Sequence, residues 1–105
     1  MSVISVVGKE NLEAEVNSGV SIVDFYADWC GPCKMLTPVL EELATDLAGK
    51  AKVVKVNVDQ NQELAAEFKI QGVPTIVIMK DGEVVERAVG FQPKAGLVDL
   101  VNKNL

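Results

Sequence analysis

At 105 residues, 49% of them hydrophobic and 24% charged, the chain has the size and composition of one globular domain, residues 1–105, that can bury a core without disulfides or metal. Its net charge is −5 and its Lys and Arg residues are scattered, which argues against a nucleic-acid partner, since that role needs a basic patch to release counterions. No apolar run approaches the roughly 20 residues that span a bilayer, and the N-terminus lacks the basic flank and cleavage site of a signal peptide, so a soluble, cytoplasmic protein with no membrane partner is expected.

In chain order, residues 2–7 predict a strand. Residues 9–17 predict a short helix with Leu12 and Val16 on one face, closed by Ser18-Gly19. Residues 20–26 form a nearly continuous apolar strand, the pattern of a sheet covered on both faces. The next helix starts near Gly31, carries Leu36, Val39, Leu40, Leu43 and Leu47 as its stripe, and ends at Gly49. Pro38 inside it predicts a kink, and Met35 at helical spacing predicts a core residue.

Residues 51–58 predict another buried strand. Asp59 resembles an N-cap with Gln62 as its reciprocal partner, opening a helix that runs through Phe68. Residues 75–80 and 83–89 predict a hairpin around Asp81-Gly82, and Pro93 starts a final helix with Leu97, Val98, Leu100, Val101 and Leu105 on its apolar face. The order β-α-β-α-β-α-β-β-α implies an α/β fold. Helical crossovers give parallel strand pairs, the hairpin adds an antiparallel one, and helices cover both faces of the mixed sheet.

Both cysteines of the chain, Cys30 and Cys33, fall at the junction between the second strand and its helix. Three residues apart on a first helical turn, they share one face, at the roughly 5–5.5 Å Cα separation that a disulfide accepts. The unpaired N–H groups of that turn and the helix dipole favour an anion there, so the Cys30 thiolate is expected to be stabilised. Pro32 fits the same turn because its missing N–H would have been unpaired anyway. The rival is half a zinc site, but a closed site needs four ligands and the chain has no histidine and no third cysteine. Such a site would have to be shared between chains or completed by carboxylates.

Asp24 interrupts the central strand, and burying a carboxylate is costly unless it is paired or neutral. Its bland reading is a satisfied ion pair or strand-end carboxylate. Its functional reading is a proton acceptor of raised pKa behind the cysteines. Lys55 breaks the next strand in the same way, as a solvated strand end or as a charge partner for Asp24. Pro74 suits the start of a strand, and the base rate of about 5% for cis X–Pro bonds favours trans. Trp29 reads as core or as a partly exposed contact surface.

Trp29-Cys30-Gly31-Pro32-Cys33-Lys34, Asp24-Phe25, Pro38, Lys55, Asn57-Val58-Asp59, Gly72-Val73-Pro74-Thr75 and Gly90 together resemble the thioredoxin family in order and spacing, over essentially the whole chain. The resemblance implies a five-stranded sheet of order 1-3-2-4-5 flanked by four helices, and a thiol–disulfide oxidoreductase that reduces protein disulfides. It implies that Cys30 is the exposed attacking cysteine, that Cys33 is the buried resolving one, and that Pro74 is cis beside them. Trp29, Gly31, Pro32, Val73, Pro74 and Gly90 would receive an extended client segment. It further implies no bound cofactor, a monomer, disulfide-containing client proteins, and recharging by an external NADPH-dependent, flavin-containing thioredoxin reductase. Gly31-Pro32 resembles the reducing branch of the family.

Two positions depart from the best-known bacterial members. Tyr26 replaces a second tryptophan, a packing change, and Phe91 replaces a small residue at the client-facing rim. A purely binding role for the same rim is the alternative of another class. Replacing both cysteines with serine would preserve binding and abolish every redox activity.

Overall fold

A computed structural model describes residues 3–105. Its elements are β1 (Ile4–Ser5), α1 (Lys9–Val16), β2 (Val20–Tyr26), α2 (Gly31–Asp46), β3 (Ala51–Asn57), α3 (Gln62–Glu67), β4 (Thr75–Lys80), β5 (Glu83–Val89) and α4 (Lys94–Asn102). The five strands form one sheet in the order β1-β3-β2-β4-β5, as the resemblance implied. β1, β3 and β2 run parallel, while β2/β4 and β4/β5 are antiparallel.

Alternation along the central strands divides the core into two layers. Val20, Ile22, Val53, Ile76 and Ile78 pack against Leu36, Leu40 and Leu43 of α2 and Leu97 and Val101 of α4. Val23, Phe25, Val54, Val56, Val77 and Met79 face the other way, onto Leu12 and Val16 of α1 and Leu64 of α3. β2 and β3 are buried on both faces, which is why their sequences read as apolar runs. Lys94 ties α4 to α2 through Glu42 at 3.2 Å and Asp46 at 2.6 Å.

The register decides where chemistry can occur. β3 runs beside β2 with Tyr26 opposite Asn57, and β4 runs against it with Phe25 opposite Thr75. The C-terminal ends of β2 and β3 therefore meet the start of β4 at one edge of the sheet. Val89, at the end of β5, pairs with Thr75 at that same edge. At the opposite edge lie Gly19, the turn before Ala51, and the β4–β5 hairpin. Asp81 and Gly82 both take positive φ, 51° and 85°, which is the two-residue turn that an Asp-Gly pair favours. Asp81 locks this end by accepting the Gly19 N–H at 2.7 Å while its own N–H donates to Gly19 O at 2.9 Å.

Four sequence expectations are corrected. β1 is shorter than residues 2–7; its ladder is extended only by the Val6 N–H donating to Lys55 O at 3.1 Å, and Ser2 lies outside the described residues. Asn61 rather than Asp59 occupies the N-cap position of α3, and its side chain makes no capping hydrogen bond. The cause is Asn57, whose Oδ1 accepts the N–H groups of Asp59 and Gln60 at 2.9 and 3.2 Å and so holds that segment in a turn. Pro93 is the N-cap of α4 rather than its first helical residue, and Leu105, beyond the helix, is exposed. Between Ile78 and Met79 the β5 partner jumps from Glu86 to Val84, leaving Val85 as a bulge in an edge strand that is largely solvent-exposed.

Candidate active site

β2 ends at Tyr26, and four residues later Cys30 serves as the N-cap of α2, with extended φ −94° and ψ 116°. Cys30 and Cys33 are disulfide-bonded with Cα atoms 5.3 Å apart, inside the separation expected of the first helical turn. The Cys33 N–H points at Cys30 Sγ at 3.1 Å. This amide has no intrahelical acceptor, so it and the dipole of the 16-residue helix would stabilise negative charge on that sulfur. Exposure does not separate the two cysteines as expected: Cys30 is 5% and Cys33 3% accessible, both enclosed by Ala27, Tyr26, Val58 and Val73. What distinguishes Cys30 is its amide donor.

The loop before β4 faces the sulfurs. Val73-Pro74 is cis, as the resemblance implied and against the base rate, and Val73 O lies 3.6 Å from Cys30 Sγ. Thr75 Oγ1 donates to Gly72 O at 2.6 Å, and the Gly90 N–H donates to Pro74 O at 2.8 Å. Gly90 holds φ at 91°, a region that disfavours residues with a Cβ. These bonds hold residues 72–74 and 90 as one rim. Pro74 itself is buried, leaving Gly72, Val73 and Gly90 as the accessible part of the rim.

Asp24 is fully buried on the α2 side of the sheet, and neither carboxylate oxygen has a hydrogen-bond partner among the described residues. Desolvation raises its pKa to about 7, opposed by the positive charge of Lys55. Lys55 is its register partner on β3 but makes no ion pair with it. Its ammonium sits instead over the Tyr26 ring, 4.2 Å from the centroid. The satisfied-ion-pair reading of Asp24 therefore fails, and Tyr26 does more than fill space, because its ring seats the Lys55 ammonium. A cleft of about 80 Å³ is lined by Cys33, Lys55, Tyr26, Ala27, Asp28, Lys34 and Thr37. It is large enough for water and joins Cys33 to Lys55.

Trp29 is 71% exposed, which removes the core reading of this residue. Its Nε1–H donates to Asp59 Oδ2 at 3.0 Å, and Asn57 Nδ2 donates to Asp28 Oδ2 at 3.3 Å, so the β3–α3 turn orients the segment before Cys30. Gly31 and Pro32 are exposed beside it. Met35 is corrected from core to surface at 63% exposure. The signal was available: Leu36, Leu40 and Leu43 define the buried stripe, and Met35 lies off it. Asp59 and Asn57 were not singled out as site residues, and nothing in local sequence marks a carboxylate as the partner of an indole 30 positions away.

No group of three or more His, Cys, Asp or Glu residues among the described residues is arranged to hold a metal ion. No described helix is long and apolar enough to cross a membrane. The Thioredoxin family model matches residues 3–103. The chain is 52% identical over 96 residues to a thioredoxin of Bacillus subtilis, covering 91% of this chain and 92% of that one. It is 47% identical to a Staphylococcus aureus thioredoxin over the whole of both chains. A solved structure of a mutant thioredoxin from Halobacterium salinarum superposes with a TM-score of 0.91 at 45% identity, covering 97% of this chain and 89% of that one. A dithiol pair at a helix start, on this sheet order and with these relatives, has one meaning: the chain belongs to the thioredoxin family and is a thiol–disulfide oxidoreductase.

Proposed function

We propose that this oxidoreductase works in the reducing direction, from its own dithiol to the disulfides of client proteins. The Cys30 thiolate attacks one client sulfur; a mixed disulfide forms, the client S–S bond breaks, and the departing sulfur takes up a proton. Cys33 then gives up its proton and attacks Cys30 Sγ, forming the Cys30–Cys33 bond and expelling the second client sulfur. The client gains two electrons and two protons, and this chain loses the same.

The observation that carries the assignment is the Cys33 N–H directed at Cys30 Sγ at 3.1 Å on the helix N-terminus, which favours Cys30 as the attacking thiolate. Asp24 is the proton acceptor for Cys33. A carboxyl with pKa about 7 exchanges protons near neutrality, and the cleft that Cys33 lines is also lined by Lys55, the register partner of Asp24. Lys55 tunes Asp24 by its charge. The client segment lies along Trp29, Gly31, Pro32, Val73 and Gly90, with Pro74 buried. An external NADPH-dependent thioredoxin reductase returns the electrons, and the chain works as a cytoplasmic monomer of one domain.

Replacing Cys33 with Ser removes the second attack while leaving the first. Incubating the reduced Cys33→Ser protein with a disulfide-containing client should accumulate a mixed disulfide at Cys30, seen as a reducible higher-mass species. Client reduction at the parent rate would refute the assigned order of attack.

A further inference from the structure

Met35 is used by neither the core nor the exchange chemistry. Its side chain is 63% exposed, whereas Met79, the other methionine among the described residues, is 4% exposed. Within α2, Met35 stands four residues after Gly31 and three after Pro32, spacings that put it on the same helical face as both. Both are exposed, so the thioether extends the surface of the first turn beyond the cysteines. A flexible, polarizable thioether suits an apolar contact surface that must accept varied partners.

We propose that Met35 is an oxidation site through which peroxide weakens client docking; the inference rests on the reading of Trp29, Gly31, Pro32 and Val73 as the docking face. The oxidant is a hydroperoxide. The Met35 sulfur gives an electron pair to one peroxide oxygen, an S–O bond forms as the O–O bond breaks, and the leaving oxygen departs as water or alcohol after taking a proton. Sulfur is oxidised by two electrons and the peroxide is reduced by two. The product places a polar, chiral sulfoxide where an apolar thioether had been.

The effect belongs to the disulfide form. There, Cys30 and Cys33 hold no thiolate and are 5% and 3% exposed, so among the described residues the accessible sulfur is that of Met35. In the dithiol form the Cys30 thiolate competes for peroxide, and Cys33 can resolve its sulfenic acid to the disulfide. Peroxide thus marks the docking face of molecules that have already been oxidised.

The test treats the disulfide form with hydrogen peroxide, maps oxygen addition by peptide mass spectrometry, removes the peroxide, and then measures turnover on a protein disulfide and on a small aromatic disulfide, with excess dithiol as the electron donor that reopens Cys30–Cys33 and the uncatalysed rate subtracted. Met35 should gain one oxygen well before Met79. KM for the protein client should then rise about fivefold, the equivalent of ~1 kcal/mol, with kcat changed less. The rate on the small disulfide, which needs no docking face, should hold. In Met35→Leu, the ratio of KM after peroxide to KM before should stay near one. Met35→Gln should show the raised KM without peroxide. Oxidation of Met79 ahead of Met35, an unmoved KM after Met35 oxidation, or an equal loss on both substrates each overturns the inference. Trp29→Ala, measured in parallel, separates the two levels: a raised KM there with none from Met35 oxidation refutes only the oxidation site, and no change from either refutes the docking face as well.

Discussion

Asp24→Asn preserves the shape of a fully buried side chain and removes only its charge. Burial raises the Asp24 pKa from 3.8 to about 7, a change of about three units at ~1.4 kcal/mol each, so ionising this carboxyl in the native protein costs about 4 kcal/mol relative to the unfolded chain. Between those pH values the native state keeps a proton that the unfolded state has released. The favourable contribution is therefore complete below about pH 4, declines as pH rises through about 7, and levels off above about pH 8. Asparagine does not titrate, so the decline should vanish in the variant. Urea unfolding of the disulfide form of both proteins, at several pH values from acid to mildly alkaline, measures this directly. The variant should gain on the parent by up to ~1.4 kcal/mol per pH unit between about pH 5 and 7, and by about 4 kcal/mol in all. Parallel stability profiles across the whole range would show that Asp24 is not the buried, unpaired acid described above.

The same carboxyl predicts a kinetic effect: because Lys55 lowers its pKa, Lys55→Gln should move the pH profile of mixed-disulfide resolution upward, as read by stopped-flow across neutral pH, and an unmoved profile would separate Lys55 from Asp24. Ser21 is fully buried and its Oγ has no partner among the described residues, so Ser21→Ala should stabilise the protein by about 1 kcal/mol in urea unfolding, and destabilisation would reveal a hydrogen bond there. Asp59→Ala removes the acceptor of the Trp29 indole, so the emission of this sole tryptophan should change and KM for a protein client should rise about two- to fivefold; identical spectra and KM would make that bond irrelevant to docking.

Elements whose cause is local were legible in the sequence. Asp81-Gly82 announces its turn because few other pairs accept two successive positive φ values, and the run from Val20 to Tyr26 announces a strand buried on both faces because it barely alternates. Cys30 and Cys33 declared a dithiol site because their spacing, the helix start and the sulfur chemistry all depend on adjacent residues, from Asp28 to Lys34. Features created by tertiary approach were not legible. Asn57 captures the turn that Asp59 was expected to cap, which frees Asp59 for the indole. Lys55 was read as a solvated strand end or as a partner for Asp24, and never against Tyr26, since the approach of its ammonium to that ring depends on β2 and β3 lying side by side. Met35 was misjudged for a different reason: helical spacing identifies the buried stripe, but its phase is fixed by the leucines, and Met35 falls outside it. The cis geometry of Val73-Pro74 came from family resemblance alone, because local chemistry favours trans.

Placing β3 parallel and β4 antiparallel to β2 gathers every element of the exchange chemistry at one end of the sheet. The turn from Ala48 to Lys50, at the other end, contributes no residue to the site. Lengthening that connection costs mainly loop-closure entropy, about 0.6 kcal/mol per doubling, and leaves the sulfurs, the 72–74 rim and the indole in place. The molecule is thereby organised as a carrier with a handle: foreign peptides, labels or surface tethers inserted at the turn around Gly49 would project away from the Cys30–Cys33 end of the sheet.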